Sequence, residues 1–401
     1  MRHFEFLTHD ERATLFHSPP EVLTRDSPAP LLAAALGGTL YAPGNRRNLA
    51  SDIRKRAANG CMSMVLCLED AIADDAIEEA EDNVVATLTE LFTSKNGVSS
   101  KDGVASEPAA PLPFLFVRVR SPRQMRHIAD RLGESIDLLC GFVIPKFHNE
   151  TDDGILFFDA LAAINATRPL AAPLRLMPIL ESPVMIHSET RASVLTRIHN
   201  LLIAHRTEVL AVRIGATDLS SVFGLRRSRD LTIYDVKVVS AVIADIVNIL
   251  GRDSDGFVIS GPVWEHYSNT ERLLRPQLRL SPFRAASDEK LRRRLLLKNF
   301  DGLMHEIALD QANGLTGKTV IHPSHVPVVH ALSVISHEEF LDAEAILGNR
   351  NGGAAASPYG NKMNEMRPHL AWAERTMLRS SAFGVASEGI TFVELLEASM
   401  R

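Results

Sequence analysis

The strongest constraint in this sequence is a recurrence: eight short apolar, β-rich runs separated by segments of helical periodicity. The runs are TLYAP at 39–43, MSMVLCL at 62–68, FLFVRV at 114–119, GFVIPK at 141–146, LRLMPIL at 174–180, VLAVRIG at 209–215, GFVIS at 256–260 and TVIHP at 319–323. Between them lie patterns such as RRNLASDIRKRAANG, closing on Gly60, and YDVKVVSAVIADIVNILG, closing on Gly251. Strand–helix alternation of this kind predicts an α/β fold with a parallel sheet, and eight units can close it into a (β/α)8 TIM barrel. A doubly wound open sheet is the structural competitor, but no G-x-G-x-x-G turn follows the first strand.

The chain has 401 residues, more than the roughly 250 a barrel needs. We therefore divide it into an N-terminal extension (1–38), a barrel domain (39–347) and a C-terminal part (348–401). The extension contains the Pro-rich stretch SPPEVLTRDSPAPL and is expected to cover the scaffold. The C-terminal part begins with GNRNGGAAASPYG at 348–360, a candidate hinge or lid, and continues as an amphipathic helical segment that can pack on a neighbouring subunit. SKNGVSSKDGVASEPAAPLP at 94–113 reads as a loop entering the third strand from the side away from the active face.

Charge and cysteine content narrow the function classes. A net charge of −6 argues against a general nucleic-acid binder. Cys61, Cys67 and Cys140 are an odd set without C-x-x-C spacing, which indicates neither a disulfide framework nor structural zinc and fits a reducing cytoplasm. The start, MRHFEFLTHDER, lacks the apolar core of a signal peptide, and no later run has ~18 uninterrupted apolar residues, so no membrane partner is expected.

Nearly every expected strand ends in a polar residue or a special turn: Pro43-Gly44, Glu69-Asp70, Arg118, Lys146, Glu181, Asp218, Ser260 and His322. In a barrel these ends converge on one face, where catalytic residues lie. Glu181 and Asp218 follow apolar strands directly, and a buried ionised carboxylate is costly without a cation or donors. Two carboxylates with open positions suit Mg2+ better than zinc; helix capping is the competing reading for Asp218. Glu69 and Asp70 can accept hydrogen bonds from metal-bound water or position Arg118, with helix initiation as the rival. Asp74 and Asp75 are better explained as helix initiation. Arg118 can pair with a substrate carboxylate or stabilise an enolate oxygen, and a structural ion pair with Glu69 is nearly as plausible.

The order YAPGN, VLCLEDAIADD, VRV, VIPK, ILES, IGATDLSSVFG, ISGP and GKTVIHPS resembles the HpcH/HpaI aldolase and citrate lyase β-subunit-like family, over residues 39 to about 385. The resemblance implies a TIM barrel, trimeric or hexameric, with Mg2+ on Glu181 and Asp218 and keto-acid or enolate oxygens on Arg118. It also implies cleavage or formation of a C–C bond next to a carbonyl, with a small 2-oxo acid, a carboxylate or an acyl-CoA thioester as substrate. Pro43, Gly44 and Lys146 join Arg118 as expected substrate contacts. Family lyases carry a C-terminal G-K-M-hydrophobic-D whose Asp reaches a neighbouring subunit's site as acid or base. Here NKMNEM places Glu365 at that position, one methylene longer. Basic residues usual after the family's E-D-A-V segment are also missing, since this chain continues DDAIEEAEDN.

Other segments admit other functions. The basic stretch 269–299 follows the seventh strand, where barrels often hold phosphate, although a solvated helix explains it as well. His322 and His325 have a metal-like spacing and can equally hydrogen-bond the barrel rim. Taken with the resemblance, these residues lead us to expect a Mg2+-dependent carbon–carbon lyase or aldolase. A catalytically silent metal-binding scaffold is the alternative, and phosphoryl transfer with the same metal is a third reading.

Overall fold

The computed structural model describes residues 1–96, 111–148, 153–267, 300–349 and 352–400. Most of the loop expected at 94–113 and all of the basic segment 269–299 lie outside them.

Helix α1 (His9–Leu15), strand β1 (Phe16–Ser18) and helix α2 (Ala29–Ala35) precede the barrel. The barrel strands are β2 (Gly38–Pro43), β3 (Ser63–Cys67), β4 (Phe114–Arg118), β5 (Leu139–Ile144), β6 (Arg175–Leu180), β7 (Val212–Ile214), β8 (Ile259–Ser260) and β9 (Lys318–Val320). Helices α3 (Leu49–Ala58), α4 (Ile77–Asn96), α5 (Pro122–Leu132), α6 (Asp153–Ala166), α7 (Ser188–Ala204), α8 (Ala216–Ser221), α9 (Lys237–Leu250) and α10 (Phe300–Ala312) fall between them. After β9 come α11 (Val326–Ser333), α12 (His337–Gly348), β10 (Ala354–Ala356), β11 (Met363–Glu365), α13 (Leu370–Phe383), β12 (Val385–Ala386) and α14 (Phe392–Ser399).

Each apolar run supplies one parallel strand, and neighbours in the chain are neighbours in the sheet, with β2 beside β9. Closure comes between β8 and β9: Thr316 N–H donates to Ile259 C=O (2.8 Å) and Thr319 N–H to Gly261 C=O (3.0 Å). The expected (β/α)8 barrel is the observed fold. Its strands are buried on both faces, which is why they read as continuous apolar runs. Val65, Phe116, Val143, Met177 and Ile179 fill the interior with one cluster, while Leu66, Leu115, Phe142, Leu180 and Ile214 join a second cluster with the surrounding helices. The same alternation sends Arg118 and Glu181 inward at the carboxyl ends.

The floor of the barrel is α2, whose Leu31, Leu32 and Ala33, with Leu36 just after it, belong to the interior cluster with Met62, Phe114 and Leu210. The Leu36 C=O accepts a hydrogen bond from Ser63 Oγ at 2.7 Å. Helix α13 packs on α2, and β1 pairs antiparallel with β12, so both flanking segments close the same end. Three-residue strands such as β1 carry no usable periodicity, and the sequence reading of 1–38 contains no strand.

The stretch read as a hinge or lid at 348–360 contains one arm of a hairpin. Ala354–Ala356 pairs antiparallel with Met363–Glu365, and the hairpin is tied to α12 by the buried Asp342. That carboxylate accepts from Ser357 Oγ (2.6 Å) and Asn364 Nδ2 (2.7 Å) and pairs with Lys362 Nζ (2.8 Å). Small and polar residues signalled a loop; one buried acceptor organises them instead. Among the described residues no helix is long and apolar enough to cross a membrane.

Candidate metal centre and active site

Six of the strand-end residues singled out in the sequence meet at the carboxyl end of the barrel. Arg118 Nη2 contacts three carboxylates: Glu69 Oε2 (2.8 Å), Asp70 Oδ2 (3.0 Å) and Glu181 Oε1 (2.9 Å). Lys146 Nζ contacts Glu69 Oε1 (2.6 Å) and Asp70 Oδ1 (3.1 Å), and its backbone N–H donates to Glu181 Oε1 (2.9 Å). Lys146 adopts a left-handed conformation (φ 48°), held by that bond and by Ser182 Oγ donating to its carbonyl at 2.5 Å. Such a conformation is costly for a residue with a Cβ and persists only where surroundings enforce it.

Carboxylate oxygens of Asp70, Glu181 and Asp218 all lie within 4.8 Å of one another, a spacing that can hold a metal ion. Asp70, expected to act through water or through Arg118, thus stands beside Glu181 and Asp218. Asp218 lies within the first turn of α8, whose N-cap is Gly215. Capping therefore does not account for Asp218.

Electrostatics follow from this crowding. Burial, with the charge of Asp218 adding to it, pushes the Glu181 carboxyl up to about 7 despite Arg118. Burial and the charge of Asp70 likewise raise Asp218. Burial raises Glu69 too, aided by its hydrogen bond with Asp70. Burial opposes the ionised form of Asp70, but the bond to Glu69 and the charges of Arg118 and Lys146 outweigh it and lower its pKa. Burial alone would lower Arg118; Glu181 and the other surrounding anions hold it above its ordinary value. In the absence of a cation, a proton on Glu181 relieves the crowding. Three hard oxygen donors without His or Cys suit an ion of the Mg2+ type.

Gly215 is the residue that allows Glu181 its place. A Cβ there would stand 2.0 Å from Glu181 Oε2 and 2.5 Å from its Cβ. Gly215→Ala is expected to displace the carboxylate and weaken Mg2+ binding by at least about tenfold in a calorimetric titration. Unchanged affinity would remove Glu181 from the metal-binding set.

The remaining predicted residues are placed differently. Gly44 is committed to the barrel itself: its N–H donates to Cys67 C=O (2.8 Å) and its C=O accepts from Asn83 Nδ2 (2.6 Å), while Pro43 ends β2. Glu365 is exposed in the β10–β11 hairpin, and it makes no contact with the acidic cluster among the described residues. His322 Nδ1 pairs with Ser324 Oγ (2.7 Å), and its ring stacks on Tyr267.

Sequence reasoning missed Arg120 and Arg213. Arg120 pins the loop after β3 by donating to Leu68 C=O (2.8 Å) and Ile72 C=O (2.8 Å) and pairing with Asp74 (2.7 Å). Its signal was present in the alternation: two residues beyond Arg118, it reaches the same loop as Glu69 and Asp70.

A closed (β/α)8 barrel with an acidic, cation-ready cluster at its carboxyl end defines the class: a barrel built for chemistry at its strand ends. The chain belongs to the C-C_Bond_Lyase family of the TIM-Barrel fold, whose profile matches residues 30–385. A carbon–carbon lyase barrel is the class that the motif order led us to expect. Curated proteins give no match. Among solved structures, a citrate lyase from Burkholderia xenovorans LB400 superposes with a TM-score of 0.57 at 16% identity, covering 95% of this chain and 98% of that one. CitE from Mycobacterium tuberculosis, in complex with magnesium, acetoacetate and coenzyme A, gives 0.49 at 21% identity, covering 87% and 99%. A Haloferax volcanii malate synthase gives 0.49 at 14% identity, covering 73% and 72%.

Proposed function

We propose that this protein is a Mg2+-dependent carbon–carbon bond lyase acting on a small 2-oxo acid or related carboxylate, free or as an acyl-CoA thioester. The observation that carries the reading is the convergence of Asp70, Glu181 and Asp218 beside Arg118. These three carboxylates would hold the ion, which when bound supplies a Lewis acid that polarises a carbonyl and offsets developing negative charge. The chain's own residues do the rest. All three ion pairs of Arg118 run through Nη2. Nη1 is the nitrogen we assign to a substrate carboxylate or enolate oxygen, where a charge-assisted bond orients the C–C bond to be broken. Glu69 and Lys146 hold Arg118 and Asp70 in register. Pro43 and Gly44 shape the adjoining wall. A proton donor or acceptor is still needed, and Glu365, exposed in the β10–β11 hairpin, is our candidate, supplied from a neighbouring subunit.

The test is a set of 2-oxo acids and acyl-CoAs incubated with Mg2+ and followed for C–C cleavage. Turnover abolished by Asp218→Ala supports the lyase. Mg2+ binding with no cleavage of any of them would favour a silent scaffold.

A further inference from the structure

Arg213 lies inside the barrel on β7 and is 1% exposed. Nη1 donates to Thr39 Oγ1 (3.3 Å), Nη2 donates to Thr319 Oγ1 (2.8 Å), and Cζ sits 5.5 Å from the centroid of the Tyr41 ring. Nε is buried without a partner, and no carboxylate forms an ion pair with Arg213 among the described residues. A guanidinium is a permanent cation inside proteins. Buried charges are ordinarily paired, because an unpaired one costs several kcal/mol of lost solvation. Here only two hydroxyl groups and an aromatic face offset that cost.

The acidic cluster lies further along the same strands: Ile179, two residues before Glu181, is the partner of Arg213 across β6 and β7. Tyr41, whose ring the guanidinium covers, also lies within electrostatic reach of Arg118 and Glu181. Above it stand four carboxylates, Glu69, Asp70, Glu181 and Asp218, against two cations, Arg118 and Lys146. With all six ionised the cluster carries two net negative charges, which a divalent ion cancels. Arg213 then leaves the loaded site with one unit of positive charge.

We infer that Arg213 is a specificity-determining residue that acts without touching substrate: a fixed buried cation that makes the metal-loaded site select an anionic 2-oxo acid over a neutral carbonyl compound. The inference rests on the metal-dependent reading given above. It is tested by calorimetric titration of the full chain with MgCl2, then with pyruvate and with its neutral methyl ester at saturating Mg2+. Arg213→Met is expected to bind Mg2+ about tenfold more tightly, because a repelling charge is gone, and pyruvate about tenfold more weakly, with the ester unmoved. Arg213→Gln, neutral but polar, gives the same result if the Met variant does not fold. Arg213→Lys retains both affinities within about twofold. Thr39→Val with Thr319→Val lowers the melting temperature and leaves both affinities in place.

A merely structural role moves Mg2+ and pyruvate affinity in the same direction, or neither, and either result overturns the inference. Opposite shifts in a protein that cleaves no C–C bond would sink the lyase reading and leave the role of Arg213 standing. Wild-type protein that binds no Mg2+ overturns both.

Discussion

Replacing Glu181 by Gln is expected to stabilise the metal-free protein at pH 8 while abolishing its stabilisation by Mg2+. Two opposite effects arise from one carboxylate. In the folded protein Glu181 titrates at about 7, above its ordinary value of 4.5, because it is buried and faces Asp218. The folded state therefore holds this proton more tightly than the unfolded chain does. The corresponding stability is fully present below pH about 4.5 and is lost as pH rises through about 7. Gln at this position carries no charge, so the metal-free variant should exceed wild type by roughly 1–3 kcal/mol at pH 8 and lose the decline between pH 5 and 8. Mg2+ reverses the ranking: at a hundred times its Kd it should add about 2.7 kcal/mol to wild type and almost nothing to the variant. Denaturant melts with and without Mg2+ across that pH range read all of this. A variant less stable than wild type without metal would show that Glu181 serves Arg118 rather than a cation.

Arg118→Met is expected to have the largest combined effect. It leaves Glu69 and Glu181 buried with one fewer cation, and removing one member of a buried ion cluster costs about 3–5 kcal/mol. If Arg118 also binds the reacting oxygens, activity should fall by at least about a hundredfold in protein that remains folded. Arg118→Lys separates the roles. One ammonium keeps the charge, recovering part of the stability, but cannot reproduce a planar fork that meets three carboxylates and a ligand. Full activity in a destabilised Lys variant would confine Arg118 to holding the site together.

How much of this was legible in the sequence depended on whether a residue's role was local. The eight strands could be read because burial on both faces writes an unbroken apolar run. Glu181 and Asp218 could be read because a charge directly after such a run has few places to go. Asp70 was legible as a partner of Arg118, but not as a neighbour of Glu181 and Asp218: it follows Glu69, and only the turn after β3 decides which of two adjacent carboxylates faces them. Arg213 was invisible for the opposite reason. Within VLAVRIG a lone arginine looks like an interruption of the strand, and its partners Thr39 and Thr319 stand 174 and 106 residues away. The hairpin at 354–365 was obscured by composition, because alanines and glycines signal a loop until Asp342 supplies an acceptor.

The floor of the barrel has a consequence for how the molecule is made. Helix α2 seals the interior, yet α13 and β12, which hold that end in place, follow all eight barrel strands in the chain. During synthesis the strands leave the ribosome before these clamps exist. We expect a nascent barrel that is open beneath, with Phe114, Phe116 and Met177 unprotected until residues 370–386 arrive. For that interval it is a natural client for chaperones.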